Sequence, residues 1–123
     1  MKGAEWAWLA LGAAIASPVR YWMGVWGKPT DERPFPVGTF AVNAVACLLL
    51  GVSLEMHTPQ PWVQALVSVG LCGALSTWST LAWETTGLLR AGRIGLASAY
   101  LASTVATGVL LAWAGNAAGR LLW

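Results

Sequence analysis

Four hydroxyls and a glycine crowd into residues 73–80, GALSTWST. Ser76, Thr77, Ser79 and Thr80 compete for backbone hydrogen bonds, and Gly73 weakens a helix by about 1 kcal/mol relative to alanine. Yet no Asp, Glu, Lys or Arg lies between Glu55 and Glu84, so this stretch is suited to lipid. Irregular backbone at membrane depth survives only where protein buries it or water lines it. Carbonyls released by a broken helix are good ligands for a hard cation, and freed N–H groups and hydroxyls suit an anion. The stretch is therefore expected to break mid-membrane and to handle ions.

Other polar groups follow helical spacing. Thr39, Asn43 and Cys47 recur at i, i+4 and i+8 and share one helix face. An unsatisfied amide in hydrocarbon costs about 2–7 kcal/mol, so Asn43 needs either an interhelical hydrogen bond or a ligand. Tyr100, Thr104 and Gly108 share a face, with Ser103 and Thr107 on an adjacent one. Single hydroxyls often bond back to their own carbonyls; a track of them beside a tyrosine suggests a polar path. Arg20 either snorkels to the interface or sets a positive charge at a pore mouth. Glu84 is expected as an interfacial cap or a salt-bridge partner.

These groups need elements to hold them. The 123-residue chain is 57% hydrophobic and 10% charged, with a mean hydropathy of +0.61. A soluble chain this short could not bury so much apolar surface. Uncharged runs cover 6–19, 34–54, 56–83 and 94–119, against the roughly 20 apolar residues a membrane helix needs. A single four-helix transmembrane domain over 1–123 is expected, with spans near 5–26, 37–55, 62–88 and 94–118. Pro18 can kink the first span, and Arg20–Tyr21 in place of small residues argues against a cleaved signal peptide. Seven of the nine tryptophans fall near span ends, where an amphipathic ring suits the headgroup layer. Trp78 and Trp83 fall within the third span instead. Small residues at 95/99/103 and 98/102/106 suit close helix contact, within one chain or between copies.

Several classes are excluded. There is no Ser/His/Asp set, no phosphate loop and no Cys/His metal spacing, so no enzyme is indicated. Cys47 and Cys72 read as packing residues, and His57 as a solvated loop residue. No basic cluster points to nucleic acid. No internal repeat supports a fused inverted-repeat transporter. A small proton-coupled multidrug exporter would want a carboxylate at depth, whereas Glu55 and Glu84 lie near span ends. A non-conducting assembly subunit is the other alternative.

Three motifs together resemble the small bacterial fluoride channels of the CrcB, or Fluc, family. LGAAIASPVRYWM is similar to that family's Gly-rich start ending in Arg-Tyr. PVGTFAVNAVACLLLG resembles its G-T-x-x-x-N-x-x-G/A-x-x-x-x-G. GLCGALSTWSTLAWET resembles its G-x-x-G-G-x-T-T-F-S-T-F-S-x-E, and Tyr100 followed by hydroxyls matches the fourth span. The resemblance implies an all-α antiparallel (dual-topology) dimer in the bacterial inner membrane. It also implies two fluoride pathways and a structural Na⁺ held at the dimer interface by backbone carbonyls of Gly73 and Ser76. Asn43 would donate to fluoride, with Thr39, Ser79, Tyr100 and Thr104 extending the path and Arg20 at the vestibule. Trp78 and Leu81 stand where the family has phenylalanines: Trp78 keeps an aromatic edge and adds an N–H, while Leu81 has no polar edge. Ala82 replaces a serine.

Lys28, Arg33, Arg90 and Arg93 fall on the side of loops one and three, and Lys2 and Arg120 on the other. That bias favours one orientation. The dimer is therefore expected either as a homodimer or as a heterodimer with a homologous chain of opposite orientation, which would supply the missing aromatic.

Overall fold

The structure, a computed structural model, describes residues 3–55, 60–76 and 78–122. His57 and Thr77 lie outside the described residues. Every regular element among those described is helical: α1 (Gly3–Trp26), α2 (Val37–Leu54), α3 (Pro61–Gln64), a π-helical segment (Ala65–Leu71), α4 (Cys72–Leu75), α5 (Trp78–Arg90) and α6 (Ile94–Leu122). Among the described residues, three stretches are long and apolar enough to cross a membrane: 37–54, 61–90 and 94–122. The 24-residue α1 continues through Pro18, and Ser17 Oγ donates to the Ala13 carbonyl at 2.7 Å.

The expected third span, 62–88, is built in pieces. Pro61 starts α3 with its fixed φ, where no N–H is needed. The π-helical turns follow, then α4, which ends at Leu75. Ser76 is extended at φ −77°, ψ 153°, and both its N–H and its hydroxyl donate to the Cys72 carbonyl at 3.1 Å. The next helix begins at Trp78.

The tight turn after α5 has a clear cause. Gly92 takes the left-handed φ of 78°, Arg93 N donates to Leu88 O at 2.9 Å and Gly92 N to Leu89 O at 3.1 Å. This is a Schellman stop, in which glycine carries the positive φ. Ala97 N then reaches Arg93 O and α6 begins.

Helix α2 is central and runs parallel to α6, which forms its most extensive interface. Side chains are excluded along that seam. A Cβ on Gly51 would collide with the Ala112 carbonyl, and one on Gly115 with the Leu48 carbonyl. Between α1 and the π-helical segment the same device recurs: Gly12 lies against Leu66 O and Gly70 against Leu9 O. Ala16, Val42, Ala46 and Leu75 form the small core between these layers. By contrast, Gly95, Ser98, Ala99, Ala102 and Ala106 on α6 face outward.

Helix α6, the expected fourth span, extends past the expected end at 118 to Leu122. Its last turns have partners: Asn116 Nδ2 donates to Glu55 Oε1 at 2.7 Å, and Arg120 Nε lies 3.4 Å from the same oxygen.

Gly115→Ala is expected to destabilise the protein by about 1–3 kcal/mol, the usual range for overpacking. Gly24→Ala on α1, with nothing within 4 Å of the added carbon, should leave stability level or raise it by up to about 1 kcal/mol. Unfolding midpoints in detergent read the difference; equal effects would contradict the glycine seam.

Candidate functional site

Two helices hand polar groups from one end of the fold towards its middle. On α2, Thr39 is followed one turn later by Asn43. On α6, Tyr100 is followed one turn later by Thr104. All four are buried: Thr39 at 5% exposure, Asn43 at 9%, Tyr100 at 0% and Thr104 at 8%.

The first members of each pair meet on Glu84 of α5. Thr39 Oγ1 donates to Glu84 Oε1 at 2.5 Å, and Tyr100 OH donates to Oε2 at 3.3 Å. Phe35 packs edge-on against the Tyr100 ring, with centroids 5.2 Å apart at 81°. A partly buried carboxylate is stabilised by such donors. Glu84 also borders a shallow cavity of about 220 Å³ beside Trp83 and the prolines of the first loop, Pro29, Pro34 and Pro36. The cluster therefore stands between that outer cavity and the inner one.

The second members line the inner cavity, a cleft of about 380 Å³ between α2, α6, Ser76 and the first turn of α5. Asn43, Ser76 and Thr104 supply its polar wall, and Trp78 and Leu81 flank it. Further along, Cys47, Leu50, Gly108, Val109 and Ala112 make it apolar. Thr104 Oγ1 is a buried oxygen with no hydrogen-bond partner among the described residues. Its hydroxyl can donate to whatever enters. This wall has amide and hydroxyl groups and no charged side chain, which suits a small anion stripped of some of its water.

The predicted residues divide. Asn43, Ser76, Trp78, Leu81 and Thr104 come together in the inner cavity; Thr39 and Tyr100 join through Glu84. Trp78 is three-quarters exposed while edging the cleft, and Leu81 is 3% exposed. Arg20 and Ser79 are exposed and outside the cavity wall. Gly73 is exposed within α4, with no heavy atom of another element within 4 Å of where a Cβ would sit.

Sequence reasoning missed Glu84 as a member of the cluster. It reads as a span-end carboxylate because hydropathy registers its charge and not the two donors that reach it. No local spacing ties Glu84 to these donors, which lie 45 and 16 residues away in the chain. Sequence reasoning also missed Glu55, Asn116 and Arg120 as a second polar cluster at the opposite end.

Fold and site define a small multi-pass membrane protein with a cleft of uncharged hydrogen-bonding groups. The family model described as "CrcB-like protein, Camphor Resistance (CrcB)" matches residues 7–116. The chain belongs to the CrcB family. It is 36% identical over 121 residues to a protein of Acidobacterium capsulatum named fluoride-specific ion channel FluC, covering 94% of this chain and 96% of that one. It is 41% identical over 108 residues to fluoride-specific ion channel FluC 2 of Rhodococcus jostii, covering 87% and 91%. Identity to fluoride-specific ion channel FluC 1 of Streptomyces avermitilis is 35%, over 97% and 98%.

If Glu84 joins Thr39 and Tyr100 into one unit, Thr39→Val and Tyr100→Phe should be non-additive. Contacting residues of one network show coupling energies of about 0.5–3 kcal/mol. Unfolding of the two single variants and the double variant reads this; simple additivity would separate the two contacts.

Proposed function

We propose that this chain is a subunit of a fluoride-selective channel that lets fluoride leave the cell passively across the bacterial inner membrane. The observation that carries this reading is the inner cavity, where Asn43, Ser76 and Thr104 face one cleft and the Thr104 hydroxyl is buried without a partner. The relatives' names give the ion.

Fluoride is compact and strongly hydrated, so a pore must replace its water with small donors. Asn43 N–H and the Thr104 hydroxyl serve that role, and the positive edge of the Trp78 ring adds to it. Thr39, Tyr100 and Ser79 continue the path, Leu81 forms its apolar wall, and Arg20 draws anions to the vestibule. The protein is a conduit and not an enzyme: nothing is made or broken.

The working unit in this reading is an antiparallel dimer of four-helix transmembrane units. The outward-facing small residues of α6 and the open face of Gly73 support a second copy there. The interruption at Ser76 serves as the mid-membrane break. A helix end turns the carbonyls of its last turn to partners outside the helix, and Gly73 carries no side chain to shield them. Carbonyl oxygens of Gly73 and Ser76 from two chains make a hard donor set that fits a structural Na⁺. When bound there, the ion supplies a field that favours anions.

Leu81 and the charge bias favour a second form of the same reading. The partner is then a homologous chain of opposite orientation that brings the missing aromatic.

Purified chain in liposomes, read by a fluoride electrode with chloride as control ion, tests both forms. Fast fluoride loss with chloride retained is expected of a homodimeric channel. Well-folded protein that passes no fluoride alone, but does so with a homologous partner, establishes the heterodimer; silence in both cases refutes the channel. Thr104→Val should slow efflux about tenfold or more, because a hydrogen bond to a charged partner contributes about 1.5–3 kcal/mol and 1.4 kcal/mol is a factor of about ten. An unchanged rate would remove Thr104 from the path.

A further inference from the structure

The inner cavity holds one thiol, which anion conduction does not use. Cys47 lies on α2 one turn beyond Asn43, is half-buried, and lines the cleft. Across from it stands Gly108 of α6, where a Cβ would come within 3.2 Å of Cys47 Sγ. Glycine there lets the sulfur lie close against α6 at the cleft wall. One turn before Gly108 is Thr104, 8% exposed, its Oγ1 unpartnered and its side chain in the same cavity wall. A soft sulfur and a bare hydroxyl oxygen thus face one cleft from parallel helices. Leu50, Val109 and Ala112 surround them with apolar surface.

We infer that Cys47 makes this cleft a binding site for a small thiophilic organometal cation of the alkylmercury class, with Thr104 Oγ1 as the secondary oxygen contact, and that its capture closes the cleft. Thiolate selects soft metals. In the step with methylmercury chloride, the Cys47 S–H and Hg–Cl bonds break, an S–Hg bond forms, and the proton and chloride leave to water; no electron is transferred. The cation's charge and the thiolate's cancel, so the adduct is neutral. A neutral adduct avoids the cost of burying an unpaired charge, and its alkyl group packs on the apolar wall. The adduct then occupies the space between Asn43 and Thr104. Cys72 is an internal control, because it is 4% exposed and absent from the cavity wall.

The blocking half of this inference rests on the channel reading; the binding half does not. The experiment treats the full chain in liposomes with methylmercury chloride, using the unaltered protein, Cys47→Ser and Cys72→Ala. Intact mass gives the adducts, and fluoride efflux with and without reagent gives the block. The expected result is one adduct on the unaltered protein and on Cys72→Ala, none on Cys47→Ser, and efflux reduced to the protein-free rate only where the adduct forms. An adduct at Cys72, or none at all, overturns the site. An adduct at Cys47 with efflux unchanged overturns the block. Should the chain pass no fluoride alone, the homodimer form of the channel reading is what fails, and the mass result still decides the Cys47 site.

Discussion

Between α2 and α6 the approach is backbone to backbone, and the useful side chains are placed by that contact. Lipid offers helices no hydrophobic reason to associate, so close packing of small residues has to hold them. Gly51 and Gly115 each lie against a carbonyl of the other helix, and Gly119 against Glu55 and Val52. Two parallel helices held this closely keep the same phase over several turns. Asn43 and Thr104 therefore face one cleft, and Thr39 and Tyr100 reach one carboxylate.

The polar groups are distributed unevenly along this pair. Glu84 with its two donors occupies one end, and Glu55 with Asn116 and Arg120 the other. Tyr100 and Asn116 are 16 residues apart on α6, about 24 Å at 1.5 Å per residue. Each carboxylate has donors from a neighbouring helix. Between the clusters the polar wall stops at Thr104 and gives way to Gly108 and Ala112. A small anion drawn into this cleft would meet hydrogen-bonding groups over only part of its length.

Much of this was legible in the sequence. Charge-free runs predict the helices because a buried charge costs more than any local preference can offset, and three of the four runs match apolar helices of spanning length. The i, i+4 spacings put Thr39 with Asn43 on one face of α2 and Tyr100 with Thr104 on one face of α6, and all four are buried. What escaped depends on contacts between distant segments. The glycine stripe at 51, 115 and 119 could not be told from glycines tolerated in any membrane helix. The rows at 95/99 and 98/102/106 carry the same small-residue signature and face outward instead. Glu84 and Glu55 read as boundaries, because hydropathy counts a carboxylate's charge and cannot see its donors. The π-helical turns leave no mark in composition at all.

Those turns, Ala65–Leu71, have an evolutionary consequence. A π turn reaches from i to i+5, one residue further than an α turn, so it holds one residue beyond what the same path needs. Chain length is thus negotiable at this point and fixed on either side. Removing one residue would convert the segment to α while leaving the orientation of the 76–84 stretch intact. The same deletion within α2 or α6 would rotate everything beyond it by about 100°, the turn per residue of a 3.6-residue helix, and carry the donors off the cleft. Natural length variation should collect between Pro61 and Cys72, and be rare where α2 and α6 touch.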